Sequence, residues 1–254
     1  MHSAKKKLIA GNWKMNGSLD FNSALTKSLL NGDLRAQACD VAVCVPSVYL
    51  SQMNSLIQVS GLTNLRLGAQ DVSPHEKGAY TGEIAVSMLK EFGVSYVIVG
   101  HSERRQFHHE TDQLVAIKAE RVLSAGITPI VCVGETKQER ESGMTEAIVK
   151  RQLAAVIHLV GHCITEIVVA YEPVWAIGTG LTATPEQAQS VHAVLRAQLK
   201  AAVGEGAEKM RILYGGSMNA ANAQSLLSQQ DIDGGLIGGA ALKAGDFLSI
   251  IAAA

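Results

Sequence analysis

The feature that most constrains this chain is an alternation of short apolar runs and helix-compatible segments, repeated from one end to the other. Strand-like runs occur at Leu8–Ala10, Val41–Val45, Leu65–Ala69, Tyr96–Val99, Thr128–Val133, Ile167–Ala170, Ile212–Tyr214 and Leu236–Ile237. Each is followed by a segment with helical spacing, at 20–31, 47–59, 83–92, 112–125, 145–159, 185–203, 219–228 and 245–252. Several runs are rich in Val and Ile without polar alternation, as parallel strands covered on both faces should be. Asp20, Ser47, Thr111, Thr145, Thr184 and Asn219 mark helix starts, because their side chains can accept from the unpaired amides of a first turn. Gly61 and Gly126 fall where helices should end. Eight βα units predict an α/β chain closed into a (β/α)8 barrel, eight parallel strands ringed by helices. A doubly wound open sheet is the runner-up, since strand order is not written in the pattern. No linker or shift of composition divides the chain, so 1–254 reads as one domain, with 1–6 as a mobile N-terminal extension.

Charge narrows the function. The 22 basic residues nearly balance 23 acidic ones, leaving a net charge of −1 and no electrostatic footprint for nucleic acid or an anionic membrane. Lys5-Lys6-Lys7 is a basic run at a terminus and reads as a solubilising edge. Leu8-Ile9-Ala10 is too short for a signal-peptide core, and no stretch approaches the length of a membrane span. A cytoplasmic protein is expected. Cys39, Cys44, Cys132 and Cys163 show neither CxxC nor metal-ligand spacing, which fits a reducing compartment. Cys44 and Cys132 lie within strand-like runs and read first as small buried hydrophobes.

In a closed barrel the loops after the strands build one face, and that rule sorts the polar residues. After strand one come Asn12, Trp13 and Lys14; after strand four, His101, Ser102, Glu103 and Arg104; after strand six, Glu172; after strand seven, Gly215, Gly216 and Ser217; after strand eight, Gly238 and Gly239. Each has a bland reading. Lys14 is either a solvated lysine or a fixed cation for an anionic substrate and a developing oxyanion. Asn12 either donates into the same place or caps a turn. His101 is either a satisfied strand-end histidine or a proton donor towards a substrate oxygen. Glu103 either holds Lys14 or exchanges contacts with Arg104 and Arg105. Gly215-Gly216-Ser217 and Gly238-Gly239 would present backbone N–H groups at helix starts, a cradle for phosphate; tight turns alone would also want these glycines.

The stretch from Tyr171 to Leu181 carries the sharpest hypothesis. A carboxylate, Glu172, ends a buried strand, and Pro173 then forbids a further ladder donor. Apolar Val174-Trp175-Ala176-Ile177 follows without any period, closed by Gly178 and Gly180, and Thr184, Pro185 and Gln187 open a helix with a capping box. A general base with a closing lid needs such an arrangement. An acidic residue after a strand is also, more simply, a surface loop residue.

The connection 70–82 is long enough to have a purpose, as an ordered interface or as a mobile surface. Gly178-x-Gly180-x-x-Ala183 lies too far past its strand for a dinucleotide site, and no acidic residue ends a second strand at the required distance. His158 and His162 have the spacing of metal ligands on one helix face, but Gly161 should end the helix between them. His108 and His109 point in different directions on a helix and face solvent.

Taken together, Asn12-Trp13-Lys14-Met15-Asn16, Val99-Gly100-His101-Ser102-Glu103-Arg104-Arg105, Ala170-Tyr171-Glu172-Pro173-Val174-Trp175-Ala176-Ile177-Gly178-Thr179-Gly180 and Tyr214-Gly215-Gly216-Ser217 resemble the signatures of the triosephosphate isomerase family, in order and spacing. The resemblance runs from residue 8 to the C-terminus. It implies interconversion of dihydroxyacetone phosphate and D-glyceraldehyde 3-phosphate with no metal or cofactor. Glu172 would carry the proton between carbons, Lys14 and Asn12 would bind and polarise, and His101 would serve as a neutral electrophile. Phosphate would rest on Gly178, Ser217, Gly238 and Gly239, with Glu103 and Cys132 in support. The family is typically a homodimer, which would make 70–82, with Thr81 near its tip, an interface. Leu181 stands where the family's lid commonly ends in Lys, and Ala241 where many members carry Ser. The rival readings are another phosphosugar barrel, or a catalytically silent barrel used for binding or as a scaffold, which would lack at least one of Lys14, His101 and Glu172.

Overall fold

Among the residues the computed structural model describes (5–32, 34, 37–178 and 181–254), eight parallel strands close into a barrel in chain order. They are β1 (Leu8–Asn12), β2 (Asp40–Val45), β3 (Leu65–Ala69), β4 (Tyr96–Val99), β5 (Thr128–Val133), β6 (Val168–Tyr171), β7 (Arg211–Tyr214) and β8 (Gly234–Ile237). Leu8 lies opposite Asp40 on one side and Gly234 on the other, which closes the ring. The open sheet is thereby excluded. No sheet edge is left unpaired, so the barrel needs no edge protection of its own.

Side chains alternate along each strand, and the alternation creates two cores. Leu8, Ala10, Ala42, Cys44, Ile98, Ile130, Cys132, Ala170 and Leu213 fill the barrel, while Ile9, Val41, Val43, Val131, Val133 and Val169 face the helices. Both faces are apolar, which is why these runs show no polar alternation in sequence. Cys44 and Cys132 are buried inside the barrel, as expected of small hydrophobes.

The outer layer is α1 (Leu19–Asn31), α2 (Leu50–Ser60), α3 (Val86–Glu91), α4 (Ser102–Phe107), α5 (Asp112–Ser124), α6 (Lys137–Glu141), α7 (Thr145–Val160), α8 (Pro185–Val203), α9 (Ala223–Leu227) and α10 (Ala244–Ala252). Thr111 and Thr184 cap their helices, the second in a capping box with Gln187, and Gly61 ends α2 in the left-handed conformation. Four start signals are displaced: Ser47 lies in a 3₁₀ turn before α2, whose N-cap is Tyr49, Asn222 and not Asn219 precedes α9, and the other two are Asp20 and Thr145. Ser18, not Asp20, accepts from the Phe21 amide, leaving Asp20 in the first turn, and Thr145 is itself helical, preceded by Met144. The segments at 83–92 and 219–228 shrink to α3 and α9. The helices α4 and α6 were not apparent, since one turn and a half is too short to display a period.

Other expectations are corrected by packing. Lys5 pairs with Asp233 at 2.8 Å and donates to the Met210 carbonyl, and Lys6 pairs with Asp40 at 2.7 Å, so these two lysines are fastened to the barrel's underside. Residues 1–4 of the expected extension lie outside the described residues. The stretch Thr145–Glu166, 22 residues, is long and apolar enough to cross a membrane by length and composition, contrary to the sequence expectation. Its apolar side is the buried face of α7, filled by Ile148, Val149, Leu153, Val156 and Val160. Glu146, Lys150 and Arg151 lie exposed on the same helix, the pattern of a core helix.

Candidate active site

The carboxyl ends of the strands surround a cavity of about 360 Å³ lined by Asn12, Lys14, His101, Glu172, Gly178, Ser217, Gly238 and Gly239, together with Gly215, Gly216, Met218 and Leu236. All eight proposed catalytic and phosphate-binding residues therefore share one pocket, although they come from five loops of the chain.

Glu172 follows β6 directly and is 2% exposed. Both carboxylate oxygens are occupied: Nε2 of His101 donates to Oε1 at 2.9 Å, and the Ser102 amide donates to Oε2 at 2.8 Å. Burial works to raise this carboxyl, but His101 and the Ser102 amide outweigh it and hold it below its ordinary value. The thiol of Cys132 faces the same carboxylate from inside the barrel; burial and that charge keep the thiol well above its usual range, so it stays protonated. Cys132 is thus a buried hydrophobe and a neighbour of the acid at once.

His101 lies two residues past the end of β4, caps α4 and is buried. Its Nδ1 accepts the Glu103 amide at 3.2 Å, which leaves the proton of the neutral ring on Nε2. Burial opposes a charge on this ring, the facing Glu172 carboxylate favours it, and the balance is upward.

Lys14 pairs with Glu103, which resolves the two readings of Glu103 in favour of holding the cation. Arg104 is engaged elsewhere with Asp71 and Glu110, and Arg105 with Asp112. The backbone of Lys14 has φ of 51°, a left-handed conformation that costs a non-glycine residue of order 1 kcal/mol or more. Two contacts hold it there. The Asn12 side chain accepts the Lys14 amide at 2.9 Å, and the Gln70 amide donates to the Lys14 carbonyl at 2.9 Å and to that of Cys44 at 3.0 Å. Asn12 both caps the turn and lines the pocket.

The phosphate-cradle glycines need a partial correction. Gly238 and Gly239 do open a short 3₁₀ turn, Gly239–Leu242. Ser217 does not open a helix: Asn219 accepts the amides of Ala221 and Asn222 in a turn, and α9 starts later. Ser217 donates through its hydroxyl to the Ala176 carbonyl at 2.6 Å, joining this loop to the segment after Glu172.

That segment packs down as a 3₁₀ turn, Val174–Ala176. The Trp175 indole N–H donates to Glu135 Oε1 at 2.9 Å, and Arg140 stacks 4.4 Å from the ring centroid. Tyr171 and Arg140 also bond to Glu135, whose second oxygen is buried without a partner. Gly178 has a positive φ of 68°, the conformation of a hinge glycine; Thr179 and Gly180 lie outside the described residues. Leu181 is 52% exposed, and Ala241 is buried.

Glu135 was missed in the sequence, where nothing was assigned after strand five. The signal was an acid just past an apolar run, Val133-Gly134-Glu135, as Glu172 lies just past its own strand. His108 and His109 do not share a helix, because α4 ends at Phe107, and His109 takes a left-handed φ of 55°. Both are exposed. Gly161 ends α7 between His158 and His162, and among the described residues no group of three or more His, Cys, Asp or Glu is placed to hold a metal.

A family model described as triosephosphate isomerase matches residues 7–254. The protein named triosephosphate isomerase from Paracidovorax citrulli is 70% identical over 253 residues, covering 98% of this chain and 99% of its own length. Those of Albidiferax ferrireducens and Delftia acidovorans are 68% and 64% identical over 250 residues each, with the same coverage.

Proposed function

The chain belongs to the triosephosphate isomerase family and interconverts dihydroxyacetone phosphate and D-glyceraldehyde 3-phosphate, a step of glycolysis and gluconeogenesis; we propose that it does so with Glu172 as the single base. The observation that carries this role is the meeting of a buried carboxylate, an imidazole N–H and a lysine in one cavity floored by glycines.

In the proposed sequence, Glu172 leaves the Ser102 amide and takes a proton from the carbon beside the substrate carbonyl. The C–H electron pair forms the C=C bond of an enediolate, and negative charge collects on the former carbonyl oxygen. Protonated Glu172 then returns its proton to the neighbouring carbon. His101 serves through Nε2–H, moving a proton between the two substrate oxygens. Departure of Glu172 removes the charge that raises the histidine, and burial then keeps the ring neutral. The Lys14 ammonium and the Asn12 amide are the fixed donors for the developing charge, preorganised by Glu103 and Gln70.

An enediolate beside a phosphate ester can expel phosphate, so the grip on the phosphate and the exclusion of water are part of the chemistry. Main-chain N–H groups of Gly178, Ser217, Gly238 and Gly239 are the proposed cradle, and Val174-Trp175-Ala176 the lid. The hydroxyl of Ser217 on Ala176 supports a coupling of the two.

The proposal includes a homodimer through 70–82. A second cavity, of about 610 Å³, shares Asn12, Lys14 and His101 with the substrate pocket and is bordered by Met15, 96% exposed, and Phe107, 68% exposed. Such a recess, apolar at its rim and open to a loop tip carrying Thr81, favours a second copy of this chain as its occupant. A cytoplasmic location is supported by four free cysteines. A coupled assay with EDTA present tests the role of the base: turnover is expected in the wild type and lost in Glu172→Ala, and undiminished turnover in that variant would sink the assignment.

A further inference from the structure

The buried face of α7 is apolar except at one position. Gln152, among the aliphatic residues named above, is only 6% exposed. Its side-chain amide spends both halves on one residue: the Gly134 N–H donates to Oε1 at 2.7 Å, and Nε2 donates to the Gly134 carbonyl at 3.2 Å. The neighbouring β4 ends with Val99 opposite Val131, so Gly134 lies beyond the last rung on that side. Gln152 takes the place of the missing strand.

The other side of the same segment carries the base. The Glu172 amide donates to the Val133 carbonyl at 2.8 Å, and the Val174 amide to the Glu135 carbonyl at 3.1 Å. There is no slack between them, because a Cβ on Gly134 would lie 1.7 Å from the Glu172 carbonyl oxygen. Val133-Gly134-Glu135 is therefore a rail, with the main chain of the base and of the first lid residue on one side and Gln152 on the other.

We propose that Gln152 is a positioning residue for the isomerisation, setting the main chain of Glu172 and Val174 by clamping the Gly134 peptide. It touches neither substrate nor reacting atoms. The inference rests on the reading of Glu172 as the base. A glutamine that merely satisfied a buried peptide would add stability and leave turnover per folded molecule alone; a positioning glutamine ties kcat to both of its bonds.

Two variants separate these roles. Gln152→Met keeps the length and bulk of the side chain and neither bond. Gln152→Glu keeps an acceptor for the Gly134 N–H and regains the donor only when its carboxyl is protonated, a state that burial favours. For Gln152→Met, kcat per folded molecule should fall on the order of 10- to 100-fold, the cost of a small misplacement of the base, with KM close to wild type. For Gln152→Glu, kcat relative to wild type should recover as pH is lowered from about 9 to about 6, where a buried carboxyl regains its proton. A folded Gln152→Met enzyme with wild-type kcat overturns the proposal. Where that variant does not fold, a Gln152→Glu ratio that stays flat with pH overturns it. Glu172→Ala is assayed alongside: if it turns over, the base assignment fails, and if it is dead while Gln152→Met is normal, only the positioning role fails.

Discussion

Nε2 of His101 stands 2.9 Å from Oε1 of Glu172, and with the Ser102 amide on Oε2 the carboxylate has no idle oxygen. The proposed base is thus parked on donors that it would have to exchange for substrate. The exchange costs little if one set of hydrogen bonds replaces another, and it ties the reach of this side chain to its length.

Shortening that reach is the most direct test. Glu172→Asp withdraws the carboxylate by one methylene while leaving β6 and the glycine floor in place. We expect kcat to fall by on the order of a hundredfold, with a much smaller change in KM, as misplacement of a base predicts. Steady-state kinetics in both directions measure it; a variant with wild-type kcat would mean that another group takes the proton.

The acid limb of the pH profile follows from the direction of the Glu172 shift. A carboxyl held below its ordinary value of 4.5 stays ionised, and competent as a base, at pH values where an exposed glutamate begins to protonate. The kcat/KM profile, once divided by the ionisation of the substrate's own phosphate near pH 6, should therefore break below 4.5. Removing the partner in His101→Gln should move that break upward. A break well above the ordinary carboxyl value in the wild type would contradict the geometry.

Behind α4 lies a cluster whose contribution is to stability. Lys118, with a side chain 4% exposed, meets Glu110 and Asp71, and Arg104 meets the same two carboxylates. Lys118→Met should cost about 1–3 kcal/mol, because the buried Glu110 loses one of its two cations while Arg104 still holds both carboxylates. Denaturant unfolding reads the loss. Burial opposes the charge on Glu110, yet Lys118 and Arg104 hold its carboxyl below the ordinary value. A carboxyl lowered by folding contributes stability that is complete above its unfolded value and lost as pH falls through its folded one. The variant's deficit should therefore narrow on acidification, and a constant deficit down to acid unfolding would count against the ion pairs as its source.

The proposed dimer gives a prediction of mass. Sedimentation of the wild type should report two copies, and Thr81→Glu should shift it towards one, since a carboxylate at the loop tip would enter a recess that already holds Asp71, Glu83 and Glu103. A wild type that sediments as a monomer throughout the concentration range removes the dimer from the proposal.

How much of this was legible depended on where each signal resides. The barrel strands were readable because both faces are buried, so Val131 and Val133 look outward and Ile130 and Cys132 inward with no polar residue between them. Lys14, His101 and Glu172 were readable as polar residues just past such runs. What the sequence did not yield were partners across space. Nothing near Gln70 or Gln152 in the chain points to the carbonyls they hold, since each bond spans a different turn of the barrel. Glu135 has the right local form, an acid just past a strand, but no second sign beside it in the chain. Ser217 was expected at a helix start, but an Asx turn at Asn219 consumes the residues that would have begun it.

The closure of the barrel has a consequence for the chain's two ends. Leu8 is held in register with Gly234 and donates its amide to Asp233, the residue that Lys5 and Arg196 also grip. Above that junction a methyl group on Gly238 would lie only 3.6 Å from Cε of Lys14. First strand and last strand are stitched together directly beneath the pocket. The pairing of β1 with β8 thus also fixes how far Lys14 stands from Gly238, so a shift of one strand along the other would change the spacing between the lysine and the glycines proposed to hold phosphate.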